Sequence, residues 1–166
     1  MSASYFHKLF LYKKWANEEL LETAKMQFDT LPKDDAHFFI RILNHTLVVD
    51  RIFAAHLTGL IHEYSATNTV ETPSLAALTD AIATSDAWFC EYTQSLSEVE
   101  LERMVRFQFT DGDTGTMSVK EILSHLIKHG SYHRGAAGRA LAVHSIAPPK
   151  DGLTGFLHRL EPDRRW

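Results

Sequence analysis

The sequence predicts an all-α protein, a four-helix bundle formed by a single domain over residues 1–166. Three observations favour this class. Four long segments place apolar residues at three- and four-residue steps, which is the period of an amphipathic helix. A chain of 166 residues is long enough to bury one good core. A long polar connection between the second and third segments indicates that these two helices run parallel rather than as a tight hairpin.

The first two predicted helices cover residues 5–26 and 35–60. The stripe of the first helix is mostly apolar and consists of Phe6, Leu9, Phe10, Lys13, Ala16, Leu20 and Ala24. Pro32 lies between the two helices and stops the first. The inward stripe of the second is expected to contain Phe38, Ile42, His45, Val49, Ile52 and His56. His45 therefore lies in the middle of this stripe, where an aliphatic residue would be expected.

The third predicted helix begins at a proline. Thr72 suits the N-cap and Pro73 the first helical position, and the helix is expected to end near residue 95. Apolar and polar residues then alternate through residues 101–110, which predicts an extended, half-buried segment. Asp111-Gly112 is a turn signal, so a short hairpin is expected before the fourth helix.

The fourth predicted helix runs over residues 119–143. Ser118 and Glu121 form the capping-box pattern at its start. The stretch after Pro148-Pro149 is a short tail, with one helical turn expected near residues 156–160.

Composition and charge exclude several classes of function. The formal net charge of −4 argues against a nucleic-acid backbone as the main partner. The single cysteine, Cys90, allows neither a disulfide framework nor a cysteine-based zinc site. No stretch approaches the roughly 18 apolar residues of a membrane span, and residues 1–15 lack the apolar core of a signal peptide. We therefore expect a cytoplasmic protein with neither nucleic-acid nor membrane partners.

The chain contains ten histidines, and three of them repeat at four-residue spacing in the fourth helix: His125, His129 and His133. A step of four residues turns an α-helix by about 400° and climbs about 6 Å, so two neighbouring imidazoles can bind one ion together. His125 and His133 lie roughly 12 Å apart along the helix axis, too far for all three to share it. His129 thus belongs to either possible pair.

Two kinds of metal site suit a helical bundle. A di-iron carboxylate site needs Glu-x-x-His pairs, and no histidine here has a glutamate three residues before it. A mononuclear site needs His-x-x-x-His and a third ligand from another helix, which His129, His133 and His45 can provide. Three imidazoles suit Zn²⁺, Ni²⁺ or Fe²⁺, and a fourth position left to water would make the site catalytic. The alternative is a solvated histidine face that binds no ion.

Three residues near these histidines have competing interpretations. His125 is expected to be a second-shell or hydrogen-bonded histidine rather than a ligand. Arg134 could contact an anionic substrate, but an ordinary surface or inter-helix ion pair is favoured. Asp50 lies about 140° from His45 on the helical wheel, so a solvated position or an ion pair is expected.

The residues around the histidines resemble the DinB/YfiT-like family. The run His-Gly-Ser-Tyr-His-Arg-Gly at residues 129–135, preceded by His125, resembles the family signature His-x-x-x-His-Arg-Gly. Residues 44–53 look like its second-helix segment, in which a single histidine precedes an Asp and an aromatic residue, and residues 14–18 look like its first-helix segment. The resemblance extends over nearly the whole chain. It departs at Ala136, where the family often has Gln; this affects any substrate contact made by that Gln, and not the ligands.

This resemblance implies an up-down-down-up bundle, a homodimer, and one divalent ion bound by His45, His129 and His133. Family members with known activity include transferases that use low-molecular-weight thiols and mycothiol-dependent isomerases. The leading hypothesis is therefore a metal-dependent thiol S-transferase, in which a low-molecular-weight thiol is the cosubstrate and Arg134 meets a substrate carboxylate. A metal-dependent hydrolase and a non-catalytic metal-binding or structural bundle are the alternatives.

Overall fold

The computed structural model describes residues 2–166, and most of them are helical. The helices, in chain order, are α1 (Ala3–Gln27), α2 (Lys33–Thr58), α3 (Leu75–Ser95), α4 (Glu98–Leu101), α5 (Val119–Ala142) and α6 (Leu153–Leu160). The strands are β1 (Met104–Gln108) and β2 (Thr114–Ser118), which pair antiparallel. Short 3-10 turns occupy Phe28–Thr30 and Pro162–Arg164. The prediction of a mostly helical chain with a short hairpin before the last long helix is confirmed.

The four long helices pack against one another in four pairs. Helices α1 and α2 each contact both α3 and α5. Large apolar side chains fill the space between them, as in the pair Phe10 and Phe89, whose rings stack with centroids 5.0 Å apart. Within residues 2–166, no helix is both long and apolar enough to cross a membrane.

Capping residues define where the later helices begin. The Ser118 hydroxyl accepts from the Glu121 amide and the Glu121 carboxylate accepts from the Ser118 amide, which confirms the predicted capping box of α5. The predicted cap of α3 is wrong: Ser74, not Thr72, is the N-cap, and its hydroxyl accepts from the Ala77 amide. Ser74 occupies the N-cap position because it directly precedes Leu75, the first residue of the helix.

The hairpin is shorter than the alternating pattern suggested. Leu101 belongs to the short helix α4, which the alternating pattern did not predict. Only residues 104–108 form the first strand. Val105 and Phe107 point to the core, whereas Phe109 lies beyond the strand and is exposed. The alternation therefore predicted the element but not its ends, because a buried leucine satisfies either period.

The buried face of α2 is broader than one stripe. Phe38 is 45% exposed whereas Phe39 is fully buried, so the expected inward position was wrong by one residue. Val49 and Ile52 are buried as expected. The reason is that α2 packs on both α3 and α5, which turns a wide arc of the helix inward. His45 consequently lies at the edge of the buried face and is half-buried.

The C-terminal segment folds back onto α1. Phe156 of α6 packs against Tyr12 and Trp15, with ring centroids 5.9 and 5.6 Å away. The helical turn expected near residues 156–160 is therefore confirmed, and it starts three residues earlier, at Leu153.

Candidate metal centre

Two helices bring three histidines together. His45 comes from α2, and His129 and His133 lie one turn apart on α5. Each offers one ring nitrogen, and the three nitrogens all lie within 4.8 Å of one another. The ring centroids are 4.9 Å apart for His45 and His129, 4.8 Å for His45 and His133, and 4.4 Å for His129 and His133. The cluster therefore forms only because α2 and α5 are neighbours.

His45 is oriented by the connection between α2 and α3. Its Nδ1 lies 2.7 Å from the Thr67 carbonyl oxygen. Because a carbonyl can only accept, Nδ1 must hold the proton, which leaves a lone pair on Nε2. That Nε2 lies 3.0 Å from the Nε2 of His129. The hydrogen bond thus fixes the tautomer in which Nε2 is free to bind a metal ion.

The same connection is anchored to α2 beside His45. The Asn44 side-chain amide donates to Asn68 Oδ1 at 2.5 Å and to Thr69 Oγ1 at 2.7 Å. These bonds hold residues 67–69 against α2 beside His45. The sequence showed this segment only as polar and aperiodic, and no local signal predicted its role.

Burial and mutual repulsion keep the α5 histidines neutral. Burial, with the nearby His133, His45, His125 and Lys13, lowers the pKa of His129 to about 3. Burial and His45 likewise lower the pKa of His133. Both rings are therefore uncharged near pH 7, which is the form that a metal ligand requires.

The cluster fits a divalent ion on its donor set, because three imidazole nitrogens, one from each ring, lie close together and each can act as a ligand. The buried Nδ1 atoms of His129 and His133 have no hydrogen-bond partner in the described chain. On His129 the nitrogen that faces His45 is the other one, Nε2, so its Nδ1 is the atom left to carry the proton when Nε2 binds an ion. Zn–N distances of about 2.0–2.1 Å in a tetrahedral site separate two ligand nitrogens by roughly 3.3 Å. The facing nitrogens of His45 and His129 are 3.0 Å apart, and no pair among the three ligand atoms is separated by more than 4.8 Å.

His125 lies beside the cluster but outside it. Its ring stacks on His129 with centroids 5.3 Å apart and also contacts Phe53 at 5.4 Å. It is not one of the three converging nitrogens. Of the two pairs that the spacing allowed, the structure groups His129 with His133.

Arg134 is buried rather than free at the surface. The residue is 3% exposed. Nε donates to Asp151 at 2.7 Å, Nη1 to Asn17 at 3.2 Å and Nη2 to Ser131 at 3.1 Å. Arg134 therefore forms an ion pair, as favoured, but its partner Asp151 lies in the connection before α6, and the contact that joins two helices is the hydrogen bond to Asn17 on α1. Ala136, at the position of the family's Gln, is partly buried on the same helix.

A second polar cluster, which the sequence did not predict as a unit, lies in the core. Lys13 is 1% exposed, and its ammonium donates to Asp50 and Asp86 at 2.7 Å each. Asp50 thus takes the ion-pair role and not the solvated one. Burial alone would lower the pKa of Lys13, but the two carboxylates outweigh it and raise that pKa. The available signal was a lysine within the apolar stripe of the first helix.

Cavities of ligand size lie beside other parts of the helices. One of about 310 Å³ lies between α1, α5 and the C-terminal segment, next to Arg134 and Pro148. Another of about 500 Å³ lies against α2 and α3 and is lined by Arg51, His62 and Trp88 among others. None of the three clustered histidines lines either cavity.

The helical fold and the three converging imidazoles together define the class: a candidate metal-binding helical protein. The model of the DinB family matches residues 1–159, so the chain belongs to the DinB family. Protein DinB of Bacillus subtilis (strain 168) is 28% identical over 178 aligned residues, which cover 93% of this chain and 95% of that protein. No solved structure matches the chain.

Proposed function

We propose that this protein binds one divalent metal ion through His45, His129 and His133 and acts on small molecules as a metal-dependent enzyme. The observation behind the proposal is that three imidazole nitrogens from two helices converge within 4.8 Å. Family membership supports it, because the match spans most of the chain, including both helices that supply the histidines.

The roles of the chain's own residues follow from their contacts. Thr67 holds His45 in the tautomer with a free Nε2. Burial holds His129 and His133 in the neutral form. A divalent ion bound by three imidazoles, with a position left open, lowers the pKa of a thiol or water bound to it. All three histidines are partly exposed, so the cluster is not sealed inside the core.

Within this class we propose a low-molecular-weight thiol S-transferase. Three nitrogen ligands suit zinc, a borderline-soft ion that also takes thiolate sulfur, so a thiol is a suitable fourth ligand. The only cysteine, Cys90, is half-buried and burial raises the pKa of its thiol, which does not suit a nucleophile. The thiol for this reaction would therefore come from a cosubstrate.

We also propose the up-down-down-up arrangement for the four long helices. Contacts between helices support it. Lys13 and Asn17 of α1 meet residues 130 and 134 of α5 in the same order, as expected for parallel helices. His7 and Lys13 meet residues 90 and 86 of α3 in reverse order, as expected for antiparallel ones.

Elemental analysis of tag-free protein tests the metal site. We expect one ion per chain in the wild type and none in His129→Ala. His125→Ala is the matched control, because it removes a histidine one turn away on the same helix and should keep the ion. Absence of metal from the wild type after loading with zinc, nickel and iron would refute the proposal.

Turnover assays then test the reaction class on the loaded protein. A thiol S-transferase consumes a thiol and an electrophile together, and the rate vanishes when the thiol is omitted. Turnover of an ester or amide without any thiol would instead indicate a hydrolase, and would refute the transferase assignment while leaving the metal site in place.

A further inference from the structure

A continuous chain of hydrogen bonds joins all four long helices through the core. Asp50 on α2 accepts from Lys13 on α1, and Lys13 also donates to Asp86 on α3. The Asn17 amide donates to the other Asp86 oxygen at 2.7 Å. Arg134 on α5 donates to the Asn17 oxygen at 3.2 Å and to Asp151 at 2.7 Å. Within this series of hydrogen bonds, Asn17 is the link between the acids on α2 and α3 and Arg134 on α5.

Burying the charged groups of this hydrogen-bond series has a large desolvation penalty. Lys13, Asp50 and Asp86 are 1%, 3% and 2% exposed, so their charges have lost nearly all contact with water. Buried ion pairs often stabilise a fold no more than well-packed apolar side chains of the same volume would. What such groups can supply is a defined relative position, because each hydrogen bond accepts only a narrow range of distances and angles.

Both ends of this hydrogen-bond series lie close in sequence to the clustered histidines. Arg134 directly follows His133, and Asp50 lies on the helix that supplies His45. Between them, Lys13 crosses α5 at Gly130, the residue after His129. A Cβ at position 130 would lie 3.2 Å from Arg134 Nη1 and 3.4 Å from Lys13 Cε, so the glycine leaves room for both cations beside the histidine helix.

We infer that the chain from Asp50 through Lys13, Asp86 and Asn17 to Arg134 is a positioning network that sets the separation of His45 from His129 and His133. Where it concerns metal binding, this inference rests on the proposed function. The polar groups act through the helices and do not touch the ion. Asn17 and Asp86 are similar in size and hydrogen-bond to each other, so their amide and carboxylate groups can be exchanged while a polar side chain stays at each position.

The test is a charge-conserving exchange at these two positions. Asp86→Asn keeps the side-chain volume but offers an amide where Asn17 already donates, so Asn17 must turn its amide toward Arg134, which is also a donor, and the relay breaks. Adding Asn17→Asp restores it, because Asp at 17 accepts from both neighbours and the total charge returns to that of the wild type.

Two readouts separate positioning from general stability. The first is the separation between Nε2 of His45 and Nε2 of His129, which is 3.0 Å in this structure. Crystal structures of the wild type and the variants, grown without added metal, would measure it. The second is the zinc dissociation constant at pH 7.5, measured by chelator competition. We expect Asp86→Asn to separate the rings and weaken zinc binding by about tenfold or more. The double variant should restore both. Leu20→Ala, a buried apolar truncation on the same helix, should lower stability and change neither.

Each outcome bears on the inference. If Asp86→Asn keeps the wild-type separation and affinity, or the double variant is no better than the single one, the network does not position the histidines. Should Asp86→Asn fail to fold, Asn17→Ala breaks the same link while leaving the Lys13 pairs intact, and the same readouts decide. If the wild type binds no zinc, the proposed function fails, and the ring separation still decides the positioning inference.

Discussion

Two polar clusters lie a few residues apart in the core and differ in almost every physical respect. The Lys13 cluster is charged, almost fully buried, and nearly every donor and acceptor in it is paired. The histidine cluster is half-buried, and two of its ring nitrogens have no partner in the part of the chain that the structure describes. One nitrogen from each of its three rings lies within 4.8 Å of the others. Paired charges are typical of architecture, whereas converging nitrogen donors at a partly exposed position are typical of a binding site. The difference supports a structural role for the first cluster and the proposed metal site for the second.

The largest expected effect comes from removing the cation of the paired cluster. Lys13→Met leaves Asp50 and Asp86 buried without a counter-charge, and should lower the free energy of unfolding by about 3–5 kcal/mol. Urea denaturation measures it. Lys14→Met is the matched control, because Lys14 makes only an exposed pair with Glu18 at 3.8 Å and should change stability by less than about 1 kcal/mol. Equal effects of the two variants would show that the buried pairs of Lys13 contribute no more to stability than the exposed pair of Lys14.

The next effect concerns the unpaired cluster and should have the opposite sign. Zinc at about 100 times its dissociation constant should raise the free energy of unfolding by about 2.7 kcal/mol, because it binds the folded chain. Thermal scans with and without zinc measure this gain. His133→Ala should lose it, since one of three ligands is missing, and His125→Ala should keep it. A gain that persists in His133→Ala would mean that zinc binds elsewhere.

The smallest expected effect is a change in pH dependence. The pKa of His129 is about 3 in the folded chain, below its ordinary value near 6.5, so the unfolded chain binds more protons between these limits. His129 therefore makes stability fall as pH drops from about 6.5 toward 3. Burial raises the pKa of Asp50 to about 6, although Lys13 acts to lower it. This raised pKa makes stability increase as pH drops, opposite to the effect of His129, so the contribution of His129 must be found by comparing variants.

His129→Phe makes that comparison, because it keeps an aromatic ring and removes the titrating nitrogens. Urea midpoints at pH 7 and pH 5, with excess EDTA, should differ less in the variant than in the wild type. A variant that loses as much stability on acidification as the wild type would show that His129 titrates normally and is not held neutral by its surroundings.

Local patterns predicted the elements well and their partners poorly. The capping box at Ser118 and the spacing of His129 and His133 involve residues within one turn, so the sequence specifies them directly. The inward stripe of α2 was wrong at Phe38, because one helical wheel cannot say how many neighbours a helix has. Lys13 appeared in an apolar stripe, and nothing local identified the two carboxylates that make its burial tolerable.

By itself, then, the sequence determined helix period, the capped start of α5 and a pair of histidines on one face, since these depend on interactions between neighbours three or four residues apart. The tertiary structure decided that His45 lies within reach of this pair, which carbonyl orients it and which charges pair in the core. His45 and His129 are separated by 84 positions and Lys13 and Asp86 by 73, and such contacts exist only once the helices have packed. The physical reason is that backbone hydrogen bonding is local, whereas the burial and pairing of polar groups depend on side chains from distant parts of the chain.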